Sequence, residues 1–256
     1  MRRSRVEVLR TAARRGRFDA QVPSALVPLD AAAARRVYDR IGLLEDTQGF
    51  YEDAPVRRLA ELANFQSCTA VFELGCGTGR FAKKLLTKTL PDSATYLGVE
   101  VSSKMATLAR KRLSPWSPRA RVLLVEPPAD LIPADDGVFD RVVSMYVFDL
   151  LSPLHTEALI NEFFRVLAPG GLMSLTSLTH GTTKLSRVVS ITWKAVSERW
   201  PALVGGCRPI EVLRYLDAIR WEIEHSEVMV RFGVPSEIVI ARRNEVIDET
   251  FLPPNV

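Results

Sequence analysis

The sequence is poor in the residues that build disulfide frameworks and metal centres. Its 256 residues include three cysteines and three histidines. The cysteines, Cys68, Cys76 and Cys207, are too few and too widely spaced for a disulfide framework or a C-x-x-C site. The histidines do not have the H-E-x-x-H spacing that places two ligands on one helical face. We therefore expect no structural or catalytic metal.

Long apolar runs are also lacking. No stretch approaches the roughly 18 uninterrupted apolar residues that a membrane-spanning helix needs, and the start of the chain does not resemble a secretory signal. With 47% hydrophobic and 25% charged residues, the composition is ordinary for a soluble globular protein. We expect a cytoplasmic protein without a membrane span.

Positive charge is concentrated at the N-terminus. The formal net charge is +4, but the first 17 residues contain seven arginines and one glutamate, so the rest of the chain is slightly acidic. A nucleic-acid enzyme more often spreads Lys and Arg over the face that meets phosphate, so we expect no specific nucleic-acid partner. We interpret residues 1–29 as a basic, solvated arm. An organelle-targeting helix, rich in arginine and poor in acids, is the alternative.

From about residue 70, apolar runs that suit buried strands alternate with amphipathic helical segments. The sequence predicts strands at "AVFEL", "TYLGVE", "RVLLVE", "FDRVVSMYVF" and "GLMSLTSL", with two more at "WEIEHSEVMV" and "SEIVIARR". Repeated βα units imply a parallel sheet with helices on both faces. The predicted fold class is α/β: a doubly wound, mostly parallel, seven-stranded, Rossmann-like sheet in one domain, residues 30–256.

The stretch "VFELGCGTGRF" places three glycines at alternate positions, 75, 77 and 79, directly after a predicted strand. Such a turn lets backbone approach a ligand and offers the N–H groups of a helix N-terminus. The dinucleotide fingerprint G-x-G-x-x-G would need glycine where the chain has Arg80. Glu100 ends the next strand, where a carboxylate can accept the hydroxyl protons of a ribose. Together these features predict a nucleoside site.

The glycine stretch is followed by two further motifs, "YLGVEVSSKM" and "FDRVVSMYVFDLL…FFRVLAPGGLMSLTS". Together the three motifs resemble the class I S-adenosylmethionine-dependent methyltransferases over about residues 71–177. The resemblance is closest to the members that act on small molecules. The resemblance implies S-adenosyl-L-methionine as the cofactor and methyl transfer as the activity. It also implies a cofactor-binding core at 67–177. The binding residues that it implies are Glu73, Gly75, Gly77 and Gly79 around the methionine part, Glu100 on the ribose and Met105 on the adenine.

The position that contacts the adenine amino group departs from the family pattern. The strand "RVLLV" runs into "EPPAD", so Glu126 stands where an aspartate is usual, and two prolines follow it. Asp130 is the alternative contact, and a plain turn is a third interpretation.

An N-terminal helical segment, 30–66, is expected to fold over the cofactor, as in similar enzymes. Its aromatic residues Tyr38, Phe50 and Tyr51 are the candidate contacts, with Tyr38 placed at the cofactor. The alternative is that these aromatic side chains belong to the core.

The resemblance implies an acceptor pocket built by the insertion 178–220, ahead of the last strands and tail, 221–256. The distinctive residues of this insertion are Trp193, Trp200, Cys207 and Arg208. Each has a structural alternative as a core, buried thiol or capping residue.

Methyl transfer from a sulfonium is an in-line displacement, so alignment of the reactants is the main task of the protein. A neutral acceptor must also lose a proton. His180 and Asp149 follow the fifth and fourth strands, at the edge where open α/β sheets bind ligands, and are the predicted catalytic residues.

We expect a small organic acceptor. After the fourth strand the sequence reads "SMYVFDLL", which lacks the Asn/Asp-Pro-Pro-aromatic motif of amino-methylating DNA enzymes and the nucleophilic cysteine of cytosine-C5 enzymes. A protein or RNA acceptor is an alternative, as is a cofactor-binding or interaction module without catalysis. The intact glycine turn and Glu100 weigh against the module.

Overall fold

A computed structural model describes residues 49–126, 131–181 and 207–245. Within these ranges the helices are α1 (Gly49–Leu62), α2 (Arg80–Lys88), α3 (Ser103–Leu113) and α4 (Pro153–Val166). The strands are β1 (Ala70–Leu74), β2 (Thr95–Glu100), β3 (Ala120–Leu124), β4 (Phe139–Met145), β5 (Leu167–Leu178), β6 (Trp221–Arg231) and β7 (Val234–Arg243). Short 3₁₀ turns cover Phe65–Ser67, Ser114–Trp116, Phe148–Leu150 and Val212–Tyr215. The predicted contacts Tyr38, Asp130, Trp193 and Trp200 lie outside the described residues.

All seven strands form one sheet in the order β3-β2-β1-β4-β5-β7-β6. Strands β1 to β5 are mutually parallel, whereas β7 runs antiparallel to both β5 and β6. This confirms the predicted doubly wound, mostly parallel sheet. The chain winds outward from β1 to β3 and then from β4 in the other direction, so the strand order reverses between β1 and β4. Ligands of open α/β sheets bind outside the carboxyl ends of the strands at such a point.

Helices cover both faces of the sheet. Helices α2 and α3 pack on one face through Leu85 and Ala106, together with Val71 of β1. On the other face, Phe163 of α4 packs with Phe72 of β1. Successive strand residues point to opposite faces, so the neighbours Val71 and Phe72 enter different clusters.

The fourth strand is shorter than the sequence predicts. The pattern "FDRVVSMYVF" predicts a strand to Phe148, but β4 ends at Met145. Tyr146 has a left-handed backbone (φ 54), and a 3₁₀ turn begins at Phe148. The predicted strand is therefore wrong over its last three residues. The early end turns the chain away from the sheet at its carboxyl edge and places Asp149 in the 3₁₀ turn.

Two charged residues at the start of β4 hold the chain that enters β1. The carboxylate of Asp140 accepts hydrogen bonds from the backbone N–H of Thr69 (2.6 Å) and from its hydroxyl (2.8 Å). The buried guanidinium of Arg141 donates to the carbonyl oxygens of Ala63 (2.8 Å) and Asn64 (2.9 Å), just beyond α1. These contacts fix the end of α1 against the sheet.

Replacement of Arg141 by methionine should lower the free energy of unfolding by about 2–4 kcal/mol, because it removes charged donors and takes the side-chain hydrogen bond from the carbonyl oxygen of buried Ala63. Urea denaturation measures the change. Arg121→Met, at an exposed position of β3, is the matched control and should stay within about 0.5 kcal/mol of wild type. Equal effects of the two substitutions would contradict the anchoring role of Arg141.

Candidate functional site

The turn between β1 and α2 carries the three predicted glycines in conformations that favour glycine. Gly75, Gly77 and Gly79 have φ values of 71°, 51° and 74°. A Cβ on Gly75 would lie 2.4 Å from Cγ2 of Val147, so the segment after β4 packs directly against this turn. Gly79 is the N-cap of α2 and provides no side-chain cap. The turn thus places the start of α2 at the switch point of the sheet, and the first N–H groups of a helix have no acceptor within the helix.

Glu100, at the end of β2, is hydrogen-bonded to this turn. Its Oε2 accepts a hydrogen bond from the N–H of Gly77 at 2.9 Å. Its Oε1 accepts hydrogen bonds from the N–H groups of Val101 and Ser102, also at 2.9 Å. The residue is only 6% exposed. A single carboxylate therefore joins the glycine turn to the start of α3, at the position that the sequence spacing predicts.

Glu73 lies beneath the turn. It is fully buried, and the hydroxyl of Tyr96 donates to its Oε2 at 2.6 Å. Burial raises the pKa of Glu73 to about 8; the hydrogen bond from Tyr96 lowers it, and the charge of Glu100 raises it. Glu73 is therefore mostly protonated at neutral pH. Its contact with a ligand stays a prediction, whereas its support of the turn is visible in the structure.

Sequence reasoning missed Tyr96 and Gly98 as parts of this site. A Cβ on Gly98 would lie 2.7 Å from the hydroxyl oxygen of Tyr96 and 2.9 Å from Cys76. Gly98 thus leaves the space in which Tyr96 reaches Glu73. The available signal was a glycine inside a strand, which often marks a close approach of other groups.

The two predicted adenine contacts lie near the ends of β2 and β3. Met105 is buried in the first turn of α3, where its N–H donates to Oγ of the N-cap Ser102 at 3.3 Å. Glu126 is exposed and follows β3. The backbone N–H of its neighbour Val125 donates to the carbonyl oxygen of Glu100 at 3.0 Å. Met105, Glu126 and Glu100 therefore belong to one edge of the sheet, and their roles toward a ligand stay predictions.

The two predicted catalytic residues lie in different surroundings. Asp149 is fully buried, and burial raises its pKa to about 7. His180 lies two residues after β5, is half exposed, and has its Nε2 4.0 Å from Oε1 of Glu211. The backbone N–H of Arg208 donates to the carbonyl oxygen of Asp149 at 2.9 Å, and the thiol of Cys207 lies beside its carboxylate. The structure thus brings Asp149, rather than exposed His180, into a buried polar cluster with residues of the predicted acceptor pocket.

Helix α1 brings aromatic side chains to this cluster. Tyr51 is buried with Leu178 and Cys207, and its ring makes an edge contact with the ring of Tyr146 at 5.9 Å between centroids. Phe50 is exposed and makes an edge contact with Phe232 at 5.6 Å. The described part of segment 30–66 therefore packs on the antiparallel side of the sheet. Its closure over a cofactor stays a prediction.

Within the three described ranges, no helix has both the length and the apolar character needed to cross a bilayer. In the same ranges, no three His, Cys, Asp or Glu side chains are grouped in a way that could hold a metal ion.

Residues 71–171 match the family model described as "Methyltransferase domain". The demethylmenaquinone methyltransferase of Thermus thermophilus is 31% identical over 115 residues, which are 45% of this chain and 50% of that protein. The matched segments span 38–50% of the length of the first curated relatives.

Solved structures share the fold over more of the chain. The [4+2]-cyclase SpnF has a TM-score of 0.65, covers 86% of this chain and 98% of its own, and is 18% identical. The N-methyltransferase NodS of Bradyrhizobium japonicum, solved in complex with S-adenosyl-L-homocysteine, has a TM-score of 0.57 at 18% identity, with 75% and 87% of the two chains covered. At such identities these likenesses show the fold alone.

Replacement of Glu73 by glutamine should flatten the dependence of stability on pH. The pKa of Glu73 is raised from 4.5 to about 8 in the folded protein. Between pH 4.5 and pH 8, Glu73 is ionised in the unfolded chain but mostly protonated in the folded protein. The free energy of unfolding therefore falls as the pH rises through this range, by at most about 1.4 kcal/mol per pH unit. Glutamine keeps an acceptor for Tyr96 and does not titrate.

Urea denaturation at pH 5, 6, 7 and 8 measures this difference. The variant should gain stability relative to wild type as the pH rises. Glu157→Gln, at an exposed position of α4, should follow the wild-type curve. If the Glu73→Gln and wild-type curves run parallel, Glu73 is not protonated in the folded protein.

Proposed function

We propose that this chain, which carries a class I S-adenosylmethionine-dependent methyltransferase domain over residues 71–171, transfers a methyl group from S-adenosyl-L-methionine to a small organic acceptor. One observation carries the proposal. The glycine turn and Glu100 lie together at the switch point of the sheet, joined by the hydrogen bond from Gly77 to the carboxylate. Backbone donors and a carboxylate at this edge are the groups that a nucleoside with an amino acid tail requires.

The residues present fit this cofactor. The first backbone N–H groups of α2, which receive no side-chain cap from Gly79, suit the carboxylate of the methionine part. An ionised carboxylate has about four acceptor positions. Glu100 accepts hydrogen bonds from three backbone N–H groups, and a ribose hydroxyl can replace the one from Gly77. The likeness of the fold to NodS, solved with S-adenosyl-L-homocysteine, supports the same assignment.

The cofactor supplies an electrophilic methyl group on a sulfonium. The protein must hold the acceptor in line with that methyl group and take up any proton that the acceptor loses. Asp149 is the better placed of the two predicted bases, because Val147, two residues before it, packs against Gly75 of the glycine turn. His180 stays the second candidate.

A small acceptor is supported by the buried setting of Asp149 and Cys207, which a folded macromolecule could not reach without rearrangement. The name of the relative, a demethylmenaquinone methyltransferase, points the same way.

Two measurements test the proposal on the full chain. Calorimetry should show binding of S-adenosyl-L-homocysteine, with NAD as the negative control. Incubation with methyl-labelled cofactor and separate pools of small metabolites, protein and RNA should label the metabolite pool. Failure to bind S-adenosyl-L-homocysteine would refute the cofactor assignment. Label in the protein or RNA pool alone would show that the acceptor is a macromolecule and not a small molecule.

Replacement of Glu100 by alanine should weaken binding of S-adenosyl-L-homocysteine by about 1–3 kcal/mol, or roughly 5- to 150-fold in Kd, because hydrogen bonds to a charged group are lost. Glu157→Ala on α4 is the matched control and should leave the Kd unchanged. Circular dichroism establishes that both variants are folded. If folded Glu100→Ala binds S-adenosyl-L-homocysteine with unchanged affinity, another residue must bind the ribose.

A further inference from the structure

The carboxylate of Asp149 is buried without the partners that a buried charge normally has. The residue has no exposed surface, and neither of its oxygens forms a well-aligned hydrogen bond within the described part of the chain. Its own backbone N–H and the thiol of Cys207 are close enough to lower its pKa, but burial outweighs them. Burial of an unpaired carboxyl group costs several kcal/mol in stability, so a position of this kind points to a ligand or to catalysis.

The groups around Asp149 are acidic and aromatic. Burial is the main cause of the raised pKa values of Asp149, Tyr51 and Tyr146; the charge of Glu52 adds to the rise at Asp149, and the charge of Asp149 adds a smaller part at the two tyrosines. The pKa of Glu52 is itself raised to about 7, chiefly by burial. The rings of Tyr51 and Tyr146 meet edge to face at 5.9 Å. Two carboxyl groups and two tyrosine rings therefore share one buried region.

Two arginines lie near these acids in the described part of the chain. The guanidinium of Arg208 lowers the pKa of Asp149; its Nη2 donates to the carbonyl oxygen of Leu151, and its buried Nε has no partner within the described residues. Arg80 lowers the pKa of Glu52, but its ion pair is with Asp53. Among the described residues, the acids of this region, Glu52, Asp53 and Asp149, outnumber these two arginines.

This region also lies next to the proposed cofactor turn. Asp149 is two residues beyond Val147, whose Cγ2 occupies the space where a side chain on Gly75 would lie. The left-handed backbone of Tyr146 directs the chain from β4 into this contact, and its hydroxyl is held by Oγ of Ser236 at 2.8 Å. The position of Asp149 is therefore fixed from both sides, close to where a methyl donor would bind.

From this arrangement we infer that the acceptor is an amine, bound as its ammonium ion between the carboxyl groups of Asp149 and Glu52 and the rings of Tyr51 and Tyr146, and that Asp149 takes its proton. The inference rests on the proposed function. An ammonium ion offsets the excess of acids among the described residues, donates to the oxygens of Asp149, and is attracted by tyrosine rings. A carboxylic acid or a phosphate would be repelled.

The proton transfer is balanced within the site. One N–H bond of the ammonium breaks, the proton goes to an oxygen of Asp149, and the nitrogen keeps the electron pair of that bond. That pair is what a methyl acceptor needs, since the ammonium form has none to donate. A raised pKa at Asp149 suits this exchange near neutral pH.

Three probes that differ only in their head group test the inference: 2-phenylethylamine, 2-phenylethanol and phenylacetic acid. Their binding to the full chain saturated with S-adenosyl-L-homocysteine is followed by calorimetry or ligand-observed NMR. Wild type should bind the amine at least about tenfold more tightly than the alcohol, and the acid most weakly. Asp149→Asn, which keeps the shape of the side chain, should lose this preference while its affinity for S-adenosyl-L-homocysteine is unchanged. Glu157→Gln should keep the preference.

A pH titration of wild type gives a second readout that needs no variant. Binding of the amine should weaken as the pH falls from 8 to 6, by up to about tenfold per pH unit, because Asp149 takes up a proton while the amine stays charged. Glu52, Tyr51, Tyr146, Cys207 and Arg208 also face this region, and of these Glu52 has a pKa of about 7. The profile of Asp149→Asn should therefore be shallower than that of wild type but not flat.

Equal or tighter binding of the alcohol or the acid, or an amine preference that survives in Asp149→Asn, would overturn the inference. If Asp149→Asn does not fold, a wild-type profile that does not weaken toward pH 6 would overturn it as well. If wild type does not bind S-adenosyl-L-homocysteine, the proposed function is refuted instead. The probes can then still be titrated against the protein alone, so the two failures are distinguishable.

Discussion

The carboxylate of Glu100 is the interaction on which the carboxyl edge of the sheet depends. Its two oxygens accept three backbone N–H groups, one from the glycine turn and two from the residues that lead into α3. Ser102, one of these donors, also caps α3 through its hydroxyl. A single ionised side chain thus sets the start of α3 relative to the turn that starts α2. Hydrogen bonds to a charged acceptor are about twice as strong as neutral ones, which suits a contact between loops.

A second carboxyl group, that of Glu73, is mostly protonated at neutral pH. Burial and the negative charge of Glu100 raise its pKa to about 8, and the hydrogen bond donated by Tyr96 offsets only part of this rise. The pair therefore divides into an ionised residue at the edge and a protonated residue below it. Gly98 is part of the same arrangement, since a side chain there would displace the Tyr96 hydroxyl.

Local patterns predict much of this fold, because strand periodicity, glycine spacing and the terminal acid of β2 are properties of short segments. The seven strands and their mostly parallel pairing are confirmed, and residues 71–171 match a methyltransferase domain. The end of β4 was missed because Tyr146 adopts a left-handed backbone that sequence reasoning reserves for glycine and asparagine. The contact between Asp149 and Cys207 joins positions 58 residues apart in the chain, and no local pattern encodes such a pairing.

Two buried acids have raised pKa values, and their hydrogen bonding, rather than their burial, separates the structural group from the functional candidate. Glu73 and Asp149 are both shielded from solvent, and burial is the largest cause of both shifts. Glu73 has a phenol at 2.6 Å, so a ligand would have to break an existing bond to reach it. Neither oxygen of Asp149 has such a bond within the described residues, and the thiol of Cys207 beside them is a weak donor, so an arriving ammonium donor replaces at most a weak contact. The burial cost is already present in the folded protein, and binding of a cationic donor would recover part of it. Asp149 is therefore the acid in this chain whose energetics favour an incoming substrate.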